Sequence, residues 1–353
     1  MIRLALLCAM MRGGLSAQEA AAGFELAATV SGAAYYSHAL VDGPANGGFR
    51  TMLYPTLKLS ERWSASAAVQ FHSSPYFREQ FGTPEHNVRA NVLQAQMAYS
   101  RFWKNRSMVV RLGQLSSAFG AFLLRYDDAA NPLIDMPLAY GYYYKSVSTL
   151  GLPGIQMDAS LGKLDVRGQF TNSSPSNRRT LLDSDQYGSY TAGAGYTIVQ
   201  GFRVGASVNR GAYLHRQHRF FFPGEARPKD LPSTAFAIDV QYGRGPWNLF
   251  AEWQHNKREY KAIPNFLQKT GYAEVRRVLH PRWYLAGRFD YERASAYPGR
   301  EVVDMVIGFR PNRHQLLKVG YAVAHGPAIR GSLGNVVSVQ LVTTLRPLSI
   351  ALD

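Results

Sequence analysis

Apolar and polar residues alternate with period two along most of this chain. From 283 to 292 one face reads Trp283, Leu285, Gly287, Phe289 and Tyr291, and the other reads Tyr284, Ala286, Arg288, Asp290 and Glu292. Successive residues of a strand point to opposite sides, so a strand here has one apolar face and one charged face. Residues 164–171 repeat the pattern, with Leu164, Val166 and Phe170 set against Asp165, Arg167, Gln169 and Thr171. Residues 303–310 do the same, with Val303, Met305, Ile307 and Phe309 against Asp304 and Arg310. Sixteen such segments follow one another, at 24–36, 48–60, 63–73, 87–101, 106–114, 153–161, 163–172, 187–198, 201–211, 234–243, 246–256, 268–278, 282–292, 301–310, 314–323 and 335–346. Most have roughly the 9–11 residues that a tilted strand needs to cross a bilayer.

The connections alternate as well. Tight turns follow the even-numbered strands, among them Ser60-Glu61-Arg62, Lys104-Asn105, Gly162-Lys163, Val199-Gln200, Arg244-Gly245-Pro246, Leu279-His280-Pro281 and Pro311-Asn312-Arg313. Longer loops rich in Gly, Pro and polar residues follow the odd-numbered ones. Short turns at one end and long loops at the other are the plan of a membrane β-barrel, with the turns on the periplasmic side. Four of the five tryptophans, Trp63, Trp103, Trp247 and Trp283, sit at or beside the short turns. Amphipathic aromatics gather where hydrocarbon meets headgroups.

A soluble sandwich would share the period, since it hides its apolar face inside and wets the other. Sixteen similar strands would then split into domains joined by linkers, and the chain shows no composition break, linker or repeat. One closed antiparallel sheet is the expectation: an all-β transmembrane barrel of about sixteen strands. No apolar run approaches the ~20 residues of a membrane-spanning helix. Among the 353 residues, 46% are hydrophobic and only 18% charged, which agrees with this reading without proving it.

Residues 1–17 read as an export signal: a charged start at Arg3, an apolar stretch from Leu4 to Met11, and a small-residue end at Leu15-Ser16-Ala17. The mature barrel would then span 18–353. Cys8, the single cysteine, lies in this segment behind Leu7 rather than a small residue, which argues against a lipid anchor. The mature chain would hold no disulfide and no thiol chemistry.

The longest connection, 115–151, is too apolar to lie free in water, with Phe119, Phe122, Leu123, Leu124, Leu133, Ile134, Met136 and Leu138. It is expected to fold into the barrel and narrow it, with Arg125, Asp127, Asp128, Asp135 and Lys145, together with Arg111 on the preceding strand, as constriction residues. A third loop folded into a sixteen-strand barrel resembles the plan of bacterial outer-membrane porins. The stretch Arg111-Leu112-Gly113-Gln114-Leu115-Ser116-Ser117-Ala118-Phe119-Gly120 further resembles the same strand end in the phosphate-selective porin O/P family. That resemblance covers one strand and loop. It implies a homotrimeric, anion-conducting channel lined by basic residues. Ser117-Ala118 stands where that family has a proline, and loop lysines do not cluster, so phosphate selectivity does not carry over.

Alternation assigns Arg50, Lys58, Arg111, Arg167, Arg203, Arg276, Arg288, Arg310 and Lys318 to the lumen, with Asp158, Asp165, Asp239, Glu252, Glu274, Asp290, Glu292 and Asp304. The two sets nearly balance, which predicts cross-strand ion pairs and only a mild anion preference. The net charge of +15 therefore sits largely in turns and loops, including Arg178-Arg179, residues 215–219 and Lys257-Arg258. Such residues suit lipopolysaccharide phosphates or anions drawn to the mouth. A nucleic-acid reading would need a basic module, and none is present.

Enzyme readings find little footing. The nine histidines are dispersed, and no nucleophile elbow, phosphate loop or cofactor motif occurs. A barrel hydrolase would need a Ser–His pair on the outer wall, for which Ser74 and Ser37-His38 are the available residues. The ending, residues 345–353, lacks the terminal aromatic common to outer-membrane barrels. The expected role is a passive channel for small hydrophilic solutes in the outer membrane, with no cofactor. The alternatives are a loop-plugged barrel serving as an envelope anchor or adhesin, and an outer-membrane hydrolase.

Overall fold

The computed structural model describes residues 22–38, 44–77, 87–140, 147, 149–173, 188–212, 231–261, 263–295, 297–326 and 334–351. Residues 1–17, expected to be an export signal, and Lys145, Arg178-Arg179 and residues 215–219 lie outside these.

Sixteen antiparallel strands close into one barrel, each paired with its neighbours in sequence and the last with the first. They are β1 (Gly23–Tyr36), β2 (Ala45–Lys58), β3 (Trp63–Ser74), β4 (Asn87–Trp103), β5 (Arg106–Leu115), β6 (Leu152–Leu161), β7 (Leu164–Asn172) and β8 (Gly188–Val199). The second half comprises β9 (Phe202–Ala212), β10 (Pro232–Arg244), β11 (Trp247–Arg258), β12 (Phe266–His280), β13 (Trp283–Ala294), β14 (Tyr297–Asn312), β15 (Gln315–His325) and β16 (Val336–Ala351).

Each expected strand is present, with ends moved by a few residues. The largest correction is at β16, which continues five positions past the expected 346 to Ala351. Its register explains the early stop. Leu26 pairs with Leu348 and Ala28 with Leu345, so Arg346 and Pro347 together oppose the single residue Ala27. A proline has no N–H for the ladder, and a bulge is where a sheet accommodates one.

The exterior is apolar through its middle, with Leu112, Ile155, Met157, Val208, Ile238, Leu285, Ile307 and Leu341 all exposed there. In water this would be a large unsatisfied patch; in hydrocarbon it is the favoured surface. Aromatic rings fringe it at the turn end. Trp63 packs on its register partner Tyr99 with centroids 5.1 Å apart, and Trp283 on Phe309 at 4.4 Å. Arg101 lies 4.9 Å over Trp103, and Arg277 lies 4.9 Å over Trp247. The fifth tryptophan, Trp253, belongs to the opposite fringe, near Phe236 and stacked on His255. The exterior, like the closed sheet, is that of a membrane-spanning barrel.

The packed core lies inside the barrel and is formed by the connection between β5 and β6. Phe119, Phe122 and Leu133 are at most 1% exposed; Phe122 and Leu133, with Ile134, Met136, Leu138 and Tyr140, pack against Val302, Val306, Leu316, Val336 and Val342 of the wall, and Phe119 packs against Ala235 and Ala237. Burying each large apolar side chain contributes about 1.5–3 kcal/mol, which accounts for a loop of this composition entering the lumen.

Candidate functional site

The inward faces of the strands and the inserted loop together form the candidate site. The loop runs across the lumen and donates hydrogen bonds to one strand of the wall after another. Gln169 on β7 accepts from Ala118 N at 3.0 Å, and Ser207 on β9 accepts from Gly120 N at 3.0 Å. Glu252 on β11 accepts from Ala121 N at 3.2 Å and from the Tyr140 hydroxyl at 2.6 Å. Burial and the Glu252 charge raise the Tyr140 hydroxyl well above its ordinary pKa, so it remains a donor.

Three buried cations fasten the loop further along. Arg288 on β13 donates to the carbonyls of Asp135 and Met136 at 3.0 and 3.1 Å. The same guanidinium pairs with Asp290 at 2.7 Å and Asp304 at 2.8 Å. Lys318 on β15, fully buried, donates to the carbonyls of Asp128, Asn131 and Leu133 at 2.7, 2.8 and 2.9 Å. Arg50 on β2 pairs with Asp128 at 2.9 Å, donates to the Tyr126 carbonyl, and stacks 4.3 Å over the Tyr126 ring. Burial would raise the Asp128 carboxyl, but Arg50 and Lys318, with hydrogen bonds from Ser31 and Tyr76, hold it below the ordinary carboxylate value.

These contacts correct part of the expected constriction. Arg125 is buried and paired with Glu274, with Phe250 beneath it at 3.8 Å. Asp128 and Asp135 are buried too. All three anchor the loop and present no free charge to a passing solute. Asp127 is half-buried and accepts from the Tyr54 hydroxyl; beside it the loop exposes Leu124 and Ala130 as its free edge. Arg50, Arg288 and Lys318, expected to line the lumen, do face inward, yet the loop covers them.

Part of the wall, on β4 to β7, differs. Here Gln96, Arg111, Gln156, Asp158, Asp165 and Arg167 keep part of their surface accessible. Arg111 pairs with Asp158, its side chain 27% exposed, and Arg203 bridges Asp165 and Asp239 at 2.8 and 2.7 Å. A Cβ on Gly195 would sit 1.8 Å from the Arg203 guanidinium, and one on Gly193 would sit 3.0 Å from Arg167 Nε. The absent side chains let both arginines lie flat against the wall instead of crossing the lumen. These residues make a polar strip of the wall that keeps part of its surface accessible.

Lys58 and Arg310 face inward near the turn end, and Arg276 stacks 4.7 Å over Tyr284 there. The predicted ion pairing holds for Arg111, Arg203 and Arg288. Among the described residues Arg167, Arg276 and Arg310 have no carboxylate partner. The residues that sequence reasoning missed are tyrosines. Tyr54, Tyr76, Tyr140 and Tyr284 carry anchoring hydroxyls, the last donating to the Pro132 carbonyl at 2.9 Å. For Tyr54 on β2 and Tyr284 on β13 inward parity was the available signal; Tyr76 and Tyr140 lie off the strands, where alternation gives none. Ser37 and Ser74 are buried on the inside whereas His38 is exposed outside, so no outer-wall Ser–His pair forms from them.

No family model matches the sequence, and no curated protein matches it. Solved structures do. The outer membrane channel DcaP of Acinetobacter baumannii superposes with a TM-score of 0.63 at 12% identity, over 94% of this chain and 100% of that one. Salmonella typhi OmpF, solved with daunomycin, gives 0.63 at 10% identity over 91% and 97%. OmpT of Vibrio cholerae in a trimer form gives 0.59 at 10% identity over 92% and 100%. At such identities the likeness is one of fold: this chain has the sixteen-strand architecture of bacterial outer-membrane barrels.

Proposed function

We propose that the protein is a porin of the bacterial outer membrane, a passive channel for small hydrophilic solutes with a mild lean toward anions. One observation carries the reading. The loop seals the lumen against β11 to β3 and also bonds to Gln169 on β7 and Ser207 on β9, while the inward Gln96, Arg111, Gln156, Asp158, Asp165 and Arg167 of β4 to β7 stay polar and accessible. A lumen meant to be closed would have its remaining wall packed in the same way. Constriction would fall between that strip, with Arg111, Asp158 and Arg167, and the loop edge at Leu124, Asp127 and Ala130.

The anion lean rests on Arg167, Arg276 and Arg310, which lack carboxylate partners among the described residues, and on exposed Lys58. Lipopolysaccharide is the proposed lipid contact at the loop end, where Arg210, Lys269 and Arg293 point outward. A homotrimer is the proposed assembly, in line with the trimer form of the Vibrio cholerae neighbour.

Single-channel recording of refolded protein in a planar bilayer under a salt gradient tests the function. Discrete steps with a reversal potential displaced toward that of the anion are the expected result. A barrel that inserts and never conducts would overturn the channel reading.

A further inference from the structure

The short-turn end carries an uncompensated positive collar. Arg62, Lys104, Lys163, Arg244, Arg282 and Arg313 are each exposed in or beside a turn, while the acids at this end among the described residues are Glu25, Glu61 and Asp165, the last already paired with Arg203. None of the six has a carboxylate partner among the described residues, although arginines of the lumen such as Arg203 and Arg288 do. A collar built only to solvate turns would mix both signs, since like charges this dense repel one another.

Directly beside the collar runs the aromatic fringe, and the two are physically joined. Arg101 and Arg277 point outward from β4 and β12, each lying over an indole of that fringe, Trp103 and Trp247. Rings of this kind settle at headgroup depth, so they hold the guanidinium groups at the level of lipid phosphates. The charge thus meets the membrane surface as well as the water beyond it.

We propose that this collar binds the headgroups of anionic phospholipids in the leaflet at the turn end, fixing the barrel's depth and orientation there. The inference rests on the membrane-barrel reading and needs no conduction. Each basic residue near an anionic surface contributes attraction that fades within a Debye length, about 8 Å at physiological salt.

The fringe supplies its own reporter, because Trp63, Trp103, Trp247 and Trp283 all lie in it. Full-length protein refolded into phosphatidylcholine vesicles would be titrated with lipids brominated on their acyl chains, either phosphatidylglycerol or phosphatidylcholine. At low salt the brominated phosphatidylglycerol should quench tryptophan more strongly, with a relative association roughly fivefold higher, the factor for one basic residue beside an anionic surface. The preference should vanish in about 1 M salt, where the Debye length is near 3 Å. It should also fall clearly when the six collar residues become glutamine, with Arg101 and Arg277 left to supply what remains. Two half-variants, R62Q/K104Q/K163Q and R244Q/R282Q/R313Q, should each lower it if the sixfold change impairs refolding.

Equal quenching by both lipids at low salt overturns the proposal and leaves the collar to an acidic soluble partner. A preference untouched in the variants overturns it as well. Quenching by neither lipid would instead mean that the chain does not enter the bilayer, and the barrel reading itself would fall.

Discussion

The two sides of the barrel wall use the same alternation and the same residue types, and they come to opposite ends. On β12 to β2 the inward Glu274, Arg288, Lys318 and Arg50 are 0–2% exposed beneath the loop. On β5 and β6 the inward Arg111 and Asp158 remain about a third exposed, at 27% and 31%. Parity of position decides only that a side chain faces inward. Whether it becomes a rivet or a lining depends on what lies over it, and that is set by the path of one loop. The same ion pair is an expensive necessity on one side and a small electrostatic adjustment on the other.

Replacing Arg288 by Met should break this contrast most severely. It would leave Asp290, Asp304 and Glu274 buried around a neutral side chain and release two loop carbonyls, so about 3–5 kcal/mol should be lost. Urea unfolding from lipid vesicles would measure it. Lys318→Met removes three short hydrogen bonds at a fully buried site and should cost about 2–4 kcal/mol on the same assay. Loosening of the loop should also add current noise.

Acid should loosen the same side reversibly. The Asp128 pKa is depressed, so its contribution is complete above the ordinary carboxylate value near ~4 and is lost as pH falls through the lowered one. Noise and stability should hold steady from pH 7 to about pH 5 and deteriorate only below about pH 4. The smallest stability change belongs to Arg111→Ala, within about 1 kcal/mol because that pair is hydrated. Its reversal potential should nonetheless shift toward cations, whereas Arg125→Ala should lower stability with little effect on selectivity. If Arg125→Ala alters selectivity as much as Arg111→Ala does, the division between rivet and lining is wrong.

The strands were readable because alternation is a local property repeated at each of them. Tight turns were readable for the same reason, through residues such as Gly162 and Gly245, which adopt positive φ. The inward course of the third loop followed from its apolar content. Which loop charges face the lumen did not follow, since Arg125, Asp128 and Asp135 find their partners more than seventy positions away or on backbone carbonyls. Nor did the tyrosine anchors, because a ring counts as apolar in a two-letter pattern while its hydroxyl acts as a polar group. The extension of β16 was masked by Pro347, whose usual meaning is an ending and whose role here is a bulge.

The seam between β1 and β16 closes the ring between the two ends of the strand series. It joins Gly23 to Ala351, the most distant pairing in the wall. The loop is bonded both to Ser31 and Arg50 near the start of the chain and to Arg288 and Lys318 near its end. The loop is thus a strut across the ring: it ties the first strands to the last a second time, so a load that would part the seam is shared with bonds inside the lumen.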